Sequence, residues 1–194
     1  MRKLIFNSKG FTLIEFLTVV VVIASIGLII VGILTSALRG TNKTNIVNLV
    51  RQSGNQAVVQ MARMIEYAQG FDGVSMDGNS YTVNCVQEGV LALTPTPTPI
   101  QHKYLKITAF DGGKIIYSCT SNSIASNSAS LIDTNSVKMV PNKCWFTCTQ
   151  ERVTSNPIIG IKFQLMQSAP TGGFVESKSS IPFETSITFK NLIK

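Results

Sequence analysis

The chain has 194 residues, 44% of them hydrophobic, which is room for one membrane helix and one modest core but not for two domains of ordinary size. Its formal charge of +7 shrinks to +4 once Arg2, Lys3 and Lys9 are set aside, so it permits binding to DNA or another anionic surface without arguing for it. With one histidine and no G-x-S-x-G, H-E-x-x-H or Gly-rich phosphate loop, no catalytic constellation is visible, and neither an enzyme activity nor a cofactor is expected.

The first ten residues are short and basic, with three cations and no acid, and the apolar run comes after them, at residues 16–38. An ordinary secretory signal has its apolar core ahead of the cleavage site and loses it with the leader. Here the order is inverted, so the apolar run would stay in the mature protein. Leader cations favour a cytoplasmic N-terminus, a vote that Arg39, Lys43 and Arg51 on the other flank weaken. At the threshold of the run stands Glu15. A charge at the centre of a membrane helix costs roughly 2.5–3.5 kcal/mol on insertion scales, and less near the edge, so Glu15 points to a partner group that answers it. The plainer reading places it at the headgroup level, as the flank of a signal anchor.

The residues Lys9-Gly10-Phe11-Thr12-Leu13-Ile14-Glu15, followed by the apolar run, resemble the prepilin leader of type IV pilins and type II secretion pseudopilins. That resemblance implies cleavage by a prepilin peptidase between Gly10 and Phe11, methylation of the new amine of Phe11, and Glu15 as the charge partner for a neighbouring subunit's N-terminus. It implies as partners other pilin or pseudopilin subunits, an inner-membrane assembly platform and the lipid bilayer. It also implies a single-pass inner-membrane precursor with its N-terminus inside, and then an extracellular or periplasmic filament.

Residues 16–38 are long enough to span the ~30 Å hydrocarbon core as a helix. Gly27 and Gly32 interrupt the run, either as points where the helix loosens or as close-contact positions for helix packing. After Gly40 a helical pattern resumes with Ile46, Val47, Val50, Val58, Met61, Ala62, Ile65 and Ala68, and Gly70 reads as its stop. The two pieces together predict one helix of roughly 55–60 residues, about 80–90 Å long at ~1.5 Å per residue, with a bend possible at Gly54.

Beyond it, alternating segments at 81–86, 103–110, 114–119, 158–166 and 183–193 read as strands, with Asp111-Gly112-Gly113 as a hairpin turn. In the last pair, Ile159, Ile161, Phe163 and Leu165 share one face, as do Phe183, Thr185, Ile187 and Phe189. The expected class is α+β: a long N-terminal helix packed on a C-terminal antiparallel sheet, the pilin fold implied by the resemblance. The expected division is a leader at 1–10, a transmembrane and assembly segment at 11–38, an amphipathic helix at 39–70 and a sheet domain outside the membrane at 71–194.

The Thr-Pro repeat at 94–99 reads as an extended spacer and the Ser- and Asn-rich stretch 118–135 as an exposed loop. The alternative readings are O-glycosylation of the repeat and an adhesive tip at the loop. Cys85, Cys119, Cys144 and Cys148 all fall in the part expected outside the membrane, where two disulfides are the natural reading of an exported domain. Four cysteines allow three pairings; the preferred one is Cys85–Cys119 across neighbouring strands, with Cys144–Cys148 closing a small loop around Trp145. Zinc lacks a C-x-x-C pair, with His102 far from residues 144–148 in sequence, and Asp72, Asp77 and Asp111, each before a glycine, match no EF-hand spacing, so no metal site is expected.

The functional expectation is a structural subunit, a minor pilin or pseudopilin of a type IV pilus, a type II secretion system or a competence pseudopilus. The alternatives are a major pilin and a membrane-anchored adhesin or binding protein that never polymerises. DNA capture would need Lys103, Lys106 and Lys114 to form a free basic patch.

Overall fold

The computed structural model describes residues 10, 12–86, 99–152, 154–168 and 180–190. In chain order it contains α1 (Leu13–Glu66), β1 (Gly70–Ser75), β2 (Gln101–His102), β3 (Tyr104–Thr108) and β4 (Lys114–Cys119). There follow β5 (Ile124–Ser126), β6 (Ala129–Ser130), β7 (Val137–Thr149), β8 (Ile158–Gln167) and β9 (Ser180–Thr188). The chain divides into two compact units, Met1–Thr44 and Asn45–Lys194. The class is the expected one, α+β with a long helix and antiparallel strands.

In the second unit, α1 buries Val50, Gly54, Ala57, Met61 and Ile65, a stripe at spacings of three and four that covers the strands. Gly54 has a packing role. A Cβ built there overlaps the ring of Phe183 on β9, and that ring stacks on Phe163 of β8 with centroids 5.2 Å apart. The glycine is where the helix backbone seats an aromatic side chain. α1 ends four residues earlier than the predicted stop, and Gly70 instead opens β1, close against Thr108 of β3.

The strands form two antiparallel sheets rather than one, ordered β1-β3-β4-β5-β6 and β2-β7-β8-β9. Lys103 alone separates β2 of one sheet from β3 of the other, so the predicted strand 103–110 is shortened to β3 and begins just after the chain changes sheets. Its backbone carries the junction: Lys103 N–H donates to Ser75 O at 2.9 Å, and Cys119 N–H donates to Lys103 O at 2.9 Å. The hairpin turn is as predicted, with Gly112 at φ +82° and the Gly113 amide donating to Asp111 Oδ1 at 2.9 Å. On β8 the predicted inward residues Ile159, Ile161, Phe163 and Leu165 are all buried.

Three predicted features change. Residues 81–86 are not a strand; Thr82 makes a single bridge to Val74 before the chain leaves the sheet. The 118–135 stretch is not a free loop but largely the β5–β6 margin of the first sheet, with Ile124 and Ile132 in the core. Its polar residues build the turns: Asn127 and Ser128 take positive φ, and Asn127 Oδ1 accepts the Ile116 amide at 2.8 Å. β9 runs over Ser180–Thr188, starting before 183; Phe189 leaves the ladder to pack on Phe71 and the Lys190 amide donates to Glu66 O at the helix end, while residues 191–193 of the predicted strand lie outside the described residues. The Thr-Pro repeat lies outside the described residues save for Pro99, as do residues 169–179 between β8 and β9.

Candidate functional site

The N-terminal end of α1 shows how the candidate assembly residues are held. Thr12 is the cap of the helix and Glu15 its third residue, and the two side chains answer each other. The Thr12 amide and hydroxyl both donate to Glu15 Oε2, at 3.0 and 2.8 Å, while the Glu15 amide donates to Thr12 Oγ1 at 3.4 Å. This is a capping box, which satisfies amide groups that a helix start otherwise leaves bare. The sequence signal was present as Thr-x-x-Glu; reading Glu15 only as a charge awaiting a partner passes over Thr12. Gly10 is exposed, and Phe11 lies outside the described residues.

From Leu13 onward the first unit presents its side chains outward. Leu13, Phe16, Ile23, Leu28 and Ile33 are each more than 60% exposed, and the most apolar stretch of the helix has no buried residue. The helix is long and apolar enough to cross a membrane. Three of its hydroxyls bond within the helix: Thr18 donates to Glu15 O at 2.9 Å, Ser25 to Val22 O at 2.8 Å, and Thr35 to the Val31 and Gly32 carbonyls at 3.0 Å. A hydroxyl that bonds its own preceding turn carries no unmet donor into an apolar medium. Around Gly27 and Gly32 there is open space, so neither contacts another part of the chain.

The cysteines form two disulfides, but not the pairing preferred from the sequence: Cys85 is bonded to Cys148 and Cys119 to Cys144. Cys144 and Cys148 both lie on the extended strand β7, where four residues at ~3.3 Å each put their Cα atoms about 13 Å apart, beyond disulfide reach. Cys85 follows the Thr82 bridge on the outer side of β1, so β1 and β3 stand between it and Cys119 on β4. β7 therefore receives both cross-links, and Cys119–Cys144 ties one sheet to the other. All four sulfurs are engaged, leaving none as a thiolate ligand.

Lys106 and Lys114 share one face of the first sheet beside Asp72, but the three candidate lysines are each engaged within the domain rather than free. Lys103 Nζ donates to Cys144 O at 3.0 Å, Lys106 lies over the Tyr81 ring at 5.2 Å, and Lys114 pairs with Asp72 Oδ1 at 2.7 Å. Each lysine is a fastening within the domain. The Asp-Gly pairs are likewise dispersed: Asp72 holds Lys114, Asp111 closes its hairpin, and no group of three or more metal-ligating side chains occurs among the described residues. His102, opposite Phe146 in the β2–β7 pair, has a buried Nδ1 without a hydrogen-bond partner, and burial lowers its pKa.

Asp77 shows the strongest local electrostatics. Its Oδ1 accepts the Asn79 amide at 3.0 Å, the Ser75 hydroxyl at 2.8 Å and the Ser80 amide at 3.2 Å, which together hold its pKa down to about 2. A carboxylate whose folded pKa lies below its ordinary 3.8 stabilises the fold above that value and loses the contribution as pH falls from about 4 to about 2. Asp77→Asn is expected to flatten the acid limb of stability in this window, measured by urea midpoints at successive pH values. An unchanged acid limb would mean that this turn also persists in the unfolded chain.

No family model, curated protein or solved structure matches the chain.

Proposed function

We propose that the chain is a structural filament subunit of the type IV pilin and pseudopilin class, a minor rather than a major one. It is cut between Gly10 and Phe11 by a prepilin peptidase, methylated on Phe11, held in the inner membrane by the apolar half of α1, and packed through that half against other subunits. The observation that carries this reading is the order of parts: basic leader, Gly10, capped helix start with Glu15, then a wholly exposed apolar helix whose later turns are the core of a cross-linked domain. The preference for a minor subunit rests on the loop-bearing, disulfide-bonded domain, which suits a specialised position better than a surface repeated throughout a filament. Intact mass of protein from the host membrane tests the processing step: a chain beginning at Phe11 with one added methyl supports it, and a chain beginning at Met1 beside an active prepilin peptidase overturns it.

One observation favours a second reading, a membrane-anchored binding protein that does not polymerise. Glu15 already has work within its own chain as half of the capping box, so it needs no neighbour to account for it. Glu15→Gln separates the two, because glutamine serves the box as glutamate does but carries no charge. In a filament subunit Glu15→Gln is expected to leave membrane insertion intact and abolish assembly, scored as surface filaments. Thr12→Ala, which removes the cap and keeps the charge, is expected to have the smaller effect. Filaments from Glu15→Gln at the wild-type level would overturn the role of Glu15 as charge partner, whereas a wild-type chain that inserts and forms no filaments would leave the anchor reading standing.

A further inference from the structure

Between Glu15 and Glu66 the chain has no acidic residue, yet Arg39 and Lys43 lie at the end of the apolar run. Both are exposed, and neither takes part in an ion pair among the described residues. Four residues apart on α1, they share one face of the helix. Gly40 beside Arg39 has open space around it. Thr41 and Thr44 turn their hydroxyls back onto the Ala37 and Gly40 carbonyls, at 3.0 and 3.1 Å, and so do not answer the cations.

Their depth is set by the helix. At about 1.5 Å per residue, Arg39 stands about 36 Å along α1 from Glu15, and Lys43 about 6 Å further. A bilayer has about 30 Å of hydrocarbon and about 40–45 Å including its headgroups. With Glu15 at the outer edge of one headgroup layer, Arg39 and Lys43 fall within the headgroup layer of the opposite leaflet. Cations on this flank run against the usual charge bias of a translocated segment, and no acidic side chain among the described residues pairs with them.

We infer that Arg39 and Lys43 form a binding pair for the phosphate of an anionic phospholipid in the leaflet opposite the leader. The inference rests on the reading of α1 as a membrane span. The guanidinium offers a forked set of donors to phosphate oxygens, and the ammonium a second point charge one helical turn away. The contact anchors the far end of the span before assembly, while Glu15 and Thr12 define the near end.

The test uses the full chain reconstituted in phosphatidylcholine vesicles, with spin-labelled phosphatidylglycerol and phosphatidylcholine compared for motional restriction by the protein. The leader cations attract anionic lipid from the other leaflet, so the readout is the change on R39Q/K43Q; R2Q/K3Q/K9Q serves as the control that retains the proposed site. Glutamine keeps the helix, since its helix propensity is close to that of arginine and lysine. The expected result is a selectivity for phosphatidylglycerol that drops about fivefold in R39Q/K43Q, the equivalent of ~1 kcal/mol, and that fades with salt in the wild type. Carbonate extraction separates the two ways of failing. A chain that washes off the vesicles overturns the membrane span and the lipid site with it. A chain that stays inserted with unchanged selectivity in R39Q/K43Q overturns the lipid site alone, and loss of filaments in that same variant would assign the cations to a neighbouring subunit's carboxylate.

Discussion

Replacing Cys85 and Cys148 together by alanine is expected to lower the unfolding free energy of the sheet domain by about 4 kcal/mol, and Cys119 with Cys144 by about 3.5 kcal/mol, from the chain entropy of the loops they close. Those loops span 63 and 25 residues. The shorter bridge is nested within the longer, so while Cys85–Cys148 is intact it already restricts the unfolded chain around Cys119 and Cys144. Each single loss, measured with the other bridge intact, should therefore fall somewhat below these figures, and removing both pairs should cost more than the two single losses combined. Against the 5–15 kcal/mol of an ordinary domain, either loss is a large share. Trp145 is the sole tryptophan and sits between Cys144 and Phe146 on β7, so its fluorescence in a urea titration reports on the strand that carries both bridges. Midpoints that match the wild type would show that the unfolded chain is already compact around these loops. Non-reducing peptide maps check the pairing itself: Cys85 should travel with Cys148, and a Cys144–Cys148 peptide would contradict the two-sheet arrangement.

Gly54→Ala is expected to destabilise the domain by about 1–3 kcal/mol, the usual cost of overpacking a filled core. The sign is opposite to helix propensity, which favours alanine over glycine by about 1 kcal/mol inside a helix. Packing wins because the added methyl falls on the Phe183 ring, and that ring is buried and stacked on Phe163. Phe183→Leu shortens the obstruction, so in the double variant the alanine should cost much less than it does alone. The coupling energy from this cycle measures the contact itself. A gain in stability for Gly54→Ala in the wild-type background would mean that the Phe183 ring moves aside freely.

The long helix, the hairpin at Asp111-Gly112-Gly113 and the inward face of β8 were legible in the sequence because each depends on a local period or a local turn residue. Strand β7 was not, although it is the longest of the described strands. Its alternation of Val137, Met139, Cys144, Phe146 and Cys148 is interrupted by Pro141-Asn142-Lys143, which reads as a turn. The strand passes through that interruption by a register shift between Met139 and Cys144, with Asn142 at φ 57°. Such a bulge is held by the partner strand, and β8 lies well downstream in sequence. The candidate site divides in the same way. Glu15, Gly10 and Phe11 stand out by order alone, and the capping role of Thr12 needed only the four-residue spacing.

By itself, then, the sequence determined what spacing along one backbone can determine: where the apolar helix runs, which helix face enters the core, and which residues stand at its start. Only the tertiary structure decided which cysteines meet, where Lys103 carries the chain from one sheet to the other, and why residue 54 is a glycine. Those outcomes depend on which distant segments lie side by side, and the same local pattern is compatible with several such pairings until the core closes around one of them.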